Sequence, residues 1–200
     1  MKTRDKGRRI EAALDREDWE GARNLIIGDL EVEPDNHWLL ARLSTTYYEQ
    51  RRYAKSLKII KKAHELAPDC PLVLWDYAGA LGAVGSTRQA LKIYAGLIKK
   101  GAQAVGDMEP CGEGREWALG LLTDCLFRAA ICWEHLGNKK KALRWLNAFL
   151  QARTQSNSSI YTPEEALKRI EKLSNGNVKQ RERQFEFLTK NLLALDAKSA

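Results

Sequence analysis

The stretch that decides the fold is Asn36 to Pro68, NHWLLARLSTTYYEQRRYAKSLKIIKKAHELAP. Its first half places one set of side chains at positions i, i+3, i+4 and i+7, which is one face of an α-helix: Leu40, Leu43, Ser44 and Tyr47. After a polar turn at residues 49–52, a second apolar stripe runs to Pro68, because proline cannot continue a helix from within. The stretch therefore predicts a helix hairpin. Neither helix can bury its stripe alone, so the hairpin needs a neighbour.

The neighbouring hairpins are visible because equivalent residues recur every 34 positions. Three series have this spacing: Ala22, Ser56 and Ala90; Ile26, Ile60 and Tyr94; Pro34 and Pro68. A period in this range indicates stacked supersecondary units. The first helix of each unit has large and small residues in one order, with copies that begin at Leu40, Leu74 and Leu126. The copy before them is degenerate, with Lys6 and Arg9 where apolar residues belong.

This pattern resembles the tetratricopeptide repeat, in which a large residue, leucine, a small residue and an aromatic residue precede a second helix and a proline. The resemblance implies an all-α fold, a right-handed α-α superhelix of about four helix hairpins followed by C-terminal capping helices. It implies a single domain over residues 1–200, with repeats at about 3–36, 37–70, 71–104 and 123–156. The capping helices are expected within residues 162–195.

The period breaks before the fourth repeat, because Ala142 follows Ala90 by 52 residues, 18 more than the period. The insertion covers residues 105–122, and its segment 107–114 is rich in glycine and proline, which predicts a loop. Apolar residues at helical spacing then predict one long helix over about 115–136. Two roles remain open for the insertion: it contributes to binding, or it only fills a packing irregularity.

The C-terminal part contains a strong helix start, Thr162-Pro163-Glu164-Glu165, with threonine as the cap and proline in the first position. This helix is expected to end near Leu173. A last helix is predicted over residues 178–195. Three roles are open for that last helix: shielding the edge of the final repeat, forming a dimer contact, or occupying the protein's own groove.

The composition is that of a folded water-soluble chain, with 44% apolar and 30% charged residues and a net charge of +7. We find neither a membrane-spanning run nor a secretory signal, and four unpaired cysteines favour a reduced, cytoplasmic protein. The positive charge is densest on two second helices: Lys55, Lys58, Lys61, Lys62, and Lys139, Lys140, Lys141, Arg144. These runs are interpreted as solvated helix faces, with phosphate binding as the alternative.

The sequence gives no pattern typical of catalysis, so we expect no enzyme activity and no cofactor. Cys125 and Cys132 are seven residues apart, about 10.5 Å along a helix, too far to share a zinc ion. Cys132 with His135 could share one, and Cys111 could join them from its loop. Cysteines in helices are more often small core residues, so we expect no metal.

In proteins of this shape ligands usually lie along the concave face formed by the first helices. Mapped onto this sequence, that face predicts a partner-binding set: Trp38, Thr45, Tyr48, Glu49, Trp75, Gly79, Phe127, Ile131 and His135. Aromatic residues commonly anchor interfaces. The alternative for Trp38 and Trp75 is core packing between hairpins. The basic and amide residues with which one subgroup clamps a peptide's C-terminal carboxylate are missing, so the groove suits an apolar or aromatic-rich peptide or a helix.

The function predicted from the sequence is therefore a non-catalytic protein–protein interaction module that binds a peptide or helix of a partner in the concave groove. Two alternatives remain, a basic helical repeat that associates with nucleic acid and a self-assembling structural module. The protein is expected to be a monomer, or a weak homodimer through the C-terminal helix, without membrane contact.

Overall fold

The structure, a computed structural model, describes residues 2–153 and 159–174. Within these ranges the chain forms α-helices and no strand: α1 Lys2–Asp15, α2 Trp19–Val32, α3 His37–Glu49, α4 Tyr53–Leu66, α5 Pro71–Ala83, α6 Thr87–Gly106, α7 Gly114–His135, α8 Lys139–Arg153 and α9 Pro163–Leu173. The prediction of a last helix over 178–195 falls outside the described residues. In the part of the chain that is described, no helix has the length and apolar character needed to span a bilayer.

Polar side chains define several of the helix starts. The Asn36 side chain accepts hydrogen bonds from the backbone N–H groups of Trp38 and Leu39, both at 3.1 Å, and so caps α3. At α9 the predicted capping box is confirmed. The Thr162 hydroxyl accepts from the backbone N–H of Glu165, and the Glu165 carboxylate accepts from the backbone N–H of Thr162.

The turn inside each hairpin contains one residue in the left-handed conformation, at an equivalent position in all four hairpins. These residues are Glu17, Arg51, Gly85 and Gly137, with φ of 57°, 58°, 86° and 73°. Glycine adopts this conformation without strain, whereas in other residues the conformation costs roughly 1 kcal/mol of free energy. The repeat is therefore preserved in the backbone even where the sequence of the turn differs.

The core is built from the positions that define the repeat. The small residues between paired helices are buried in every hairpin that has them: Ser44, Ala78 and Ala130 on first helices, and Ala22, Ser56, Ala90 and Ala142 on second helices. Ser44 and Ser56 also share a hydrogen bond of 2.8 Å between their hydroxyl oxygens. The buried clusters follow one another along the chain, because each helix packs on the next, as expected of a solenoid.

The insertion differs from the prediction at its start. The third repeat was expected to end at about residue 104, but its second helix, α6, bends at Gly101 (φ 80°, ψ 163°) and continues to Gly106. Gly101 therefore bends the helix one residue before Ala102, which occupies the position held by Pro34 and Pro68 in the first two repeats. The loop is residues 107–113, and the predicted long helix is confirmed as α7, Gly114–His135. Helices α3, α5 and α7 lie side by side and form the concave face.

Candidate partner-binding site

Three charged residues occupy equivalent positions on the three helices of the concave face. Arg42 on α3, Asp76 on α5 and Arg128 on α7 are separated by the same 34 and 52 residues that separate the repeats. All three line one cavity of about 200 Å³. Because the helices are neighbours, the acidic residue lies between two basic ones.

Asp76 is the acidic group in this cavity with a buried, unpaired oxygen among the described residues. Its oxygen Oδ2 is buried and accepts no hydrogen bond from the described residues. Burial raises the pKa of Asp76 to about 6, although the positive charges of Arg42 and Arg128 act in the opposite direction. The two arginines have other partners: Arg42 pairs with Glu11 at 3.0 Å, and Arg128 donates to the Tyr48 hydroxyl at 3.0 Å. A buried carboxylate oxygen thus retains its full capacity to accept a hydrogen bond.

Aromatic rings surround Arg128. Its guanidinium carbon lies 5.7 Å from the ring centres of both Tyr48 and Trp75, and 5.5 Å from that of Tyr161. These distances are within the range of cation–π attraction. The Trp75 ring also packs against the Tyr94 ring, with centroids 5.6 Å apart and planes inclined by 59°, and this contact restricts the position of Trp75. The cavity is therefore lined by two aromatic rings, Tyr48 and Trp75, among mostly polar and charged residues.

Gly79 provides the space in the cavity. A Cβ atom at this position would make ordinary contacts of 3.8 Å with the Tyr48 ring and the Tyr94 hydroxyl oxygen. The missing side chain, together with Thr45, Leu72 and the exposed Glu49, leaves an opening on the surface of α3 and α5. At roughly 30 Å³ for each water in the liquid, the volume of about 200 Å³ is that of about six or seven waters or one large side chain.

The α7 end of the concave face is covered by the protein itself. Asp124 accepts hydrogen bonds from the Ser159 hydroxyl and from the backbone N–H of Ile160, the latter at 3.2 Å. The Tyr161 ring stacks on Phe127 with centroids 4.2 Å apart. Phe127 is consequently only 2% exposed. This is a correction: Phe127 was expected to contact a partner, but the segment 159–161 already occupies its face.

The remaining predicted residues are distributed along the same face. Trp38 is half-buried and packs towards α1, 3.7 Å from the position of a Cβ on Gly7, so it does not line the cavity. This agrees with the core alternative for Trp38. Ile131 is half-buried beside the cluster formed by α7, α8 and α9. His135 is exposed at the end of α7, away from the cavity lining.

The structure therefore brings together five of the predicted residues, Thr45, Tyr48, Glu49, Trp75 and Gly79. Sequence reasoning missed the charged residues Arg42, Asp76 and Arg128. The signal was available, because the three positions obey the repeat spacing, and Asp76 and Arg128 directly follow Trp75 and Phe127, which were assigned to the concave face.

Comparisons with known proteins agree with this architecture. No protein-family model matches the sequence, and no curated protein matches it. Solved structures do: MamA (residues 41 to the end) from Desulfovibrio magneticus RS-1 has a TM-score of 0.63 at 10% identity, covering 98% of this chain and 96% of that one. A tetratricopeptide repeat protein from Parabacteroides merdae has a TM-score of 0.61 at 18% identity, covering 94% and 66%. This chain has a tetratricopeptide-repeat-like fold.

A third similar structure is YrrB, a tetratricopeptide repeat protein with an unusual peptide-binding site. Its TM-score is 0.53 at 19% identity, and the alignment covers 72% of this chain and 65% of YrrB. At these identities the likeness concerns the fold. The likeness therefore identifies the helical scaffold as tetratricopeptide-like, and it assigns no role to individual residues.

The basic runs lie on the second helices of the tetratricopeptide-like fold and make local contacts. Lys62 pairs with Asp35 at 3.1 Å and donates to the Pro34 carbonyl at 3.1 Å. The ammonium groups of Lys55 and Lys141 lie 4.2 Å and 4.1 Å from the ring centres of Tyr47 and Trp133. Part of the basic charge is thus used to cover aromatic surface.

Away from the cavity, the fold collects three residues that commonly bind metals. The ligand atoms of His37, Cys70 and Cys111 all lie within 4.8 Å of one another. The sequence had suggested that Cys111 could join Cys132 and His135, but the loop carries Cys111 to the start of α3 and α5 instead. Cys132 and Cys125 are buried in the core between α5, α6 and α7.

Proposed function

We propose that this protein is a non-catalytic interaction module that binds an extended peptide segment of a partner protein at the cavity between α3, α5 and α7. The observation that carries the proposal is Asp76, whose buried oxygen Oδ2 accepts no hydrogen bond from the described residues and which lines the same cavity as Tyr48 and Trp75. Buried polar groups are normally paired, and an unpaired one is costly. A donor from a partner would satisfy it.

The contacts that the protein's own segment 159–161 makes with α7 suggest how a partner peptide would bind beside α5. On α7 a backbone N–H is donated to Asp124, and an aromatic ring stacks on Phe127. Trp75 is equivalent to Phe127 in the repeat, whereas Asp76 follows Trp75 directly and is not the repeat equivalent of Asp124, so the two carboxyls lie at different positions near equivalent rings. We therefore expect the partner to present an aromatic or apolar side chain to Trp75 and an N–H group to Asp76.

The likeness to YrrB supports this proposal, because YrrB is a tetratricopeptide repeat protein with an unusual peptide-binding site. The four free cysteines favour a reducing compartment, and we propose a cytoplasmic location on that ground.

The test is peptide selection followed by a matched pair of variants. The purified protein is panned against a displayed random-peptide library, and the affinity of the selected peptide is measured by fluorescence anisotropy. Gly79→Leu fills the cavity and should weaken binding by about tenfold or more, since roughly 1.4 kcal/mol corresponds to tenfold. Gly28→Leu is the control, because Gly28 is an exposed helical glycine with nothing within 4 Å of its Cβ position.

Equal affinity of the wild type and Gly79→Leu for the selected peptide would reject the cavity. Two further measurements separate the alternatives. Binding to duplex or single-stranded nucleic acid that falls steeply with salt would favour the nucleic-acid-associated reading. Light scattering that shows a stable homo-oligomer, lost when residues 178–200 are removed, would favour the structural module.

A further inference from the structure

The cluster of His37, Cys70 and Cys111 lies outside the proposed peptide site. The His37 nitrogen Nε2 is 3.0 Å from the Cys111 sulfur, and Cys111 packs against the buried cluster that contains Cys70. All three ligand atoms are within 4.8 Å of one another. Three side chains from distant parts of the sequence therefore point at one small volume.

The distances are close to those of a tetrahedral metal site. Zn–S bonds of about 2.3 Å and Zn–N bonds of about 2.1 Å at tetrahedral angles give ligand separations of roughly 3.5–3.8 Å. The His37–Cys111 contact would have to open by about half an ångström, and the widest pair would have to close by about 1 Å. Side-chain rotations supply movements of this size without a shift of the helices.

The donor set selects the type of ion. Two thiolates and one imidazole are soft or borderline ligands, which favour Zn²⁺ over Mg²⁺ or Ca²⁺. Cys70 is also the N-cap of α5, where the positive end of the helix dipole stabilises a thiolate. Among the described residues no other His, Cys, Asp or Glu joins the group. The fourth position would then be taken by water.

The location explains what such an ion would do. His37 begins α3, Cys70 precedes α5, and Cys111 belongs to the loop 107–113 of the insertion. These elements form the N-terminal edge of the concave-face helices. His37 and Cys111 are 74 residues apart in sequence. An ion held by all three residues would fasten the inserted loop to the second and third hairpins.

We propose that His37, Cys70 and Cys111 bind one Zn²⁺ ion, which fixes the insertion on the edge of the solenoid. On binding, the two thiols lose their protons to solvent, the imidazole remains neutral, and three coordinate bonds form. No electron transfer is involved. The site is independent of the proposed peptide cavity, because no residue is shared between them.

The test uses the full chain, freed of metal by a chelator and kept reduced with a phosphine. Titration with Co²⁺ should produce thiolate-to-metal charge-transfer absorption, which one equivalent of Zn²⁺ should abolish. Zn²⁺ should also raise the melting temperature and protect the loop 107–113 from proteolysis, because the ion binds only the folded site. Competition with a chromophoric chelator gives the affinity.

Two variants and one matched control make the test specific. Cys111→Ser and His37→Asn should each weaken Zn²⁺ binding by about 100-fold or more, since even outer-shell changes cost 10–100-fold. Cys132→Ala, a buried cysteine in a different core cluster, should bind as the wild type does. Cys111 and His37 are both only half-buried, so their substitution is compatible with folding, which circular dichroism verifies.

Zn²⁺ affinity that is equal in the wild type and Cys111→Ser would overturn the proposal, as would the absence of cobalt charge transfer. A Cys70–Cys111 disulfide that forms in air, with no Zn²⁺ bound after the phosphine reduces it, would also contradict the proposal and would show a redox pair instead.

Discussion

The two halves of the concave face differ in what covers them. Asp76, in the half formed by α3 and α5, has a buried oxygen that accepts no hydrogen bond from residues 2–153 and 159–174, whereas Asp124 on α7 accepts two, from Ser159 and Ile160. Burial raises the pKa of both carboxyls to about 6. The comparison shows that the protein's own residues 159–161 lie against α7, whereas a cavity remains beside α3 and α5, with Ile160 at its edge.

The largest effect is expected from uncovering the occupied half. Tyr161→Ala removes the ring that stacks on Phe127 and should lower the free energy of unfolding by about 3 kcal/mol, as for other large aromatic truncations. Denaturant unfolding at neutral pH measures the change. Ile160→Ala is the control, because this neighbouring side chain is 68% exposed and should change stability by less than about 0.5 kcal/mol. Similar losses in both variants would mean that the stacking contributes little.

The second prediction concerns the pH dependence of the free energy of unfolding, to which Asp76 contributes. The folded pKa of Asp76 is about 6, above the ordinary value of 3.8, so the folded state binds this proton more tightly than the unfolded state. The contribution of Asp76 to stability is therefore complete below about pH 4 and is lost as the pH rises through 6. A shift of about two pKa units corresponds to roughly 3 kcal/mol at most.

Asp76→Asn removes the titrating group, so unfolding free energies measured from pH 4 to pH 7 should depend less steeply on pH than those of the wild type. Asp124 should still contribute in the variant, since burial raises its pKa to about 6 as well. An unchanged pH profile would show that Asp76 titrates normally and is not the unsatisfied group that the proposal requires.

The smallest effect is expected at Gly79. Gly79→Ala should raise the free energy of unfolding by about 0.5–1 kcal/mol, because alanine is the better helix former and its methyl group finds ordinary contacts. The equivalent residue on the covered half is Ile131, which already packs beside the core. A loss of stability in Gly79→Ala, measured by thermal unfolding, would indicate that the cavity has no room for a methyl group.

The hairpins could be predicted because the residues that define them recur at a fixed spacing in the sequence. Ser44, Ala78 and Ala130 are small for the same packing reason in each repeat, and one pattern therefore fixes many positions. The covering of Phe127 could not be predicted, because Tyr161 belongs to a segment outside the repeats. The position of Cys111 could not be predicted for a similar reason. The inserted loop is not part of the repeat pattern, and its contact with His37 depends on where helix α6 bends, at Gly101, and where it ends, at Gly106.

The most direct test of the open half places the same photo-crosslinking amino acid at two equivalent, exposed positions, Glu49 and His135. Glu49 borders the open cavity, and His135 lies at the end of the covered half. The probe at position 49 should crosslink the selected peptide, and the probe at position 135 should not. Crosslinking at 135 alone, or equally at both positions, would contradict the account.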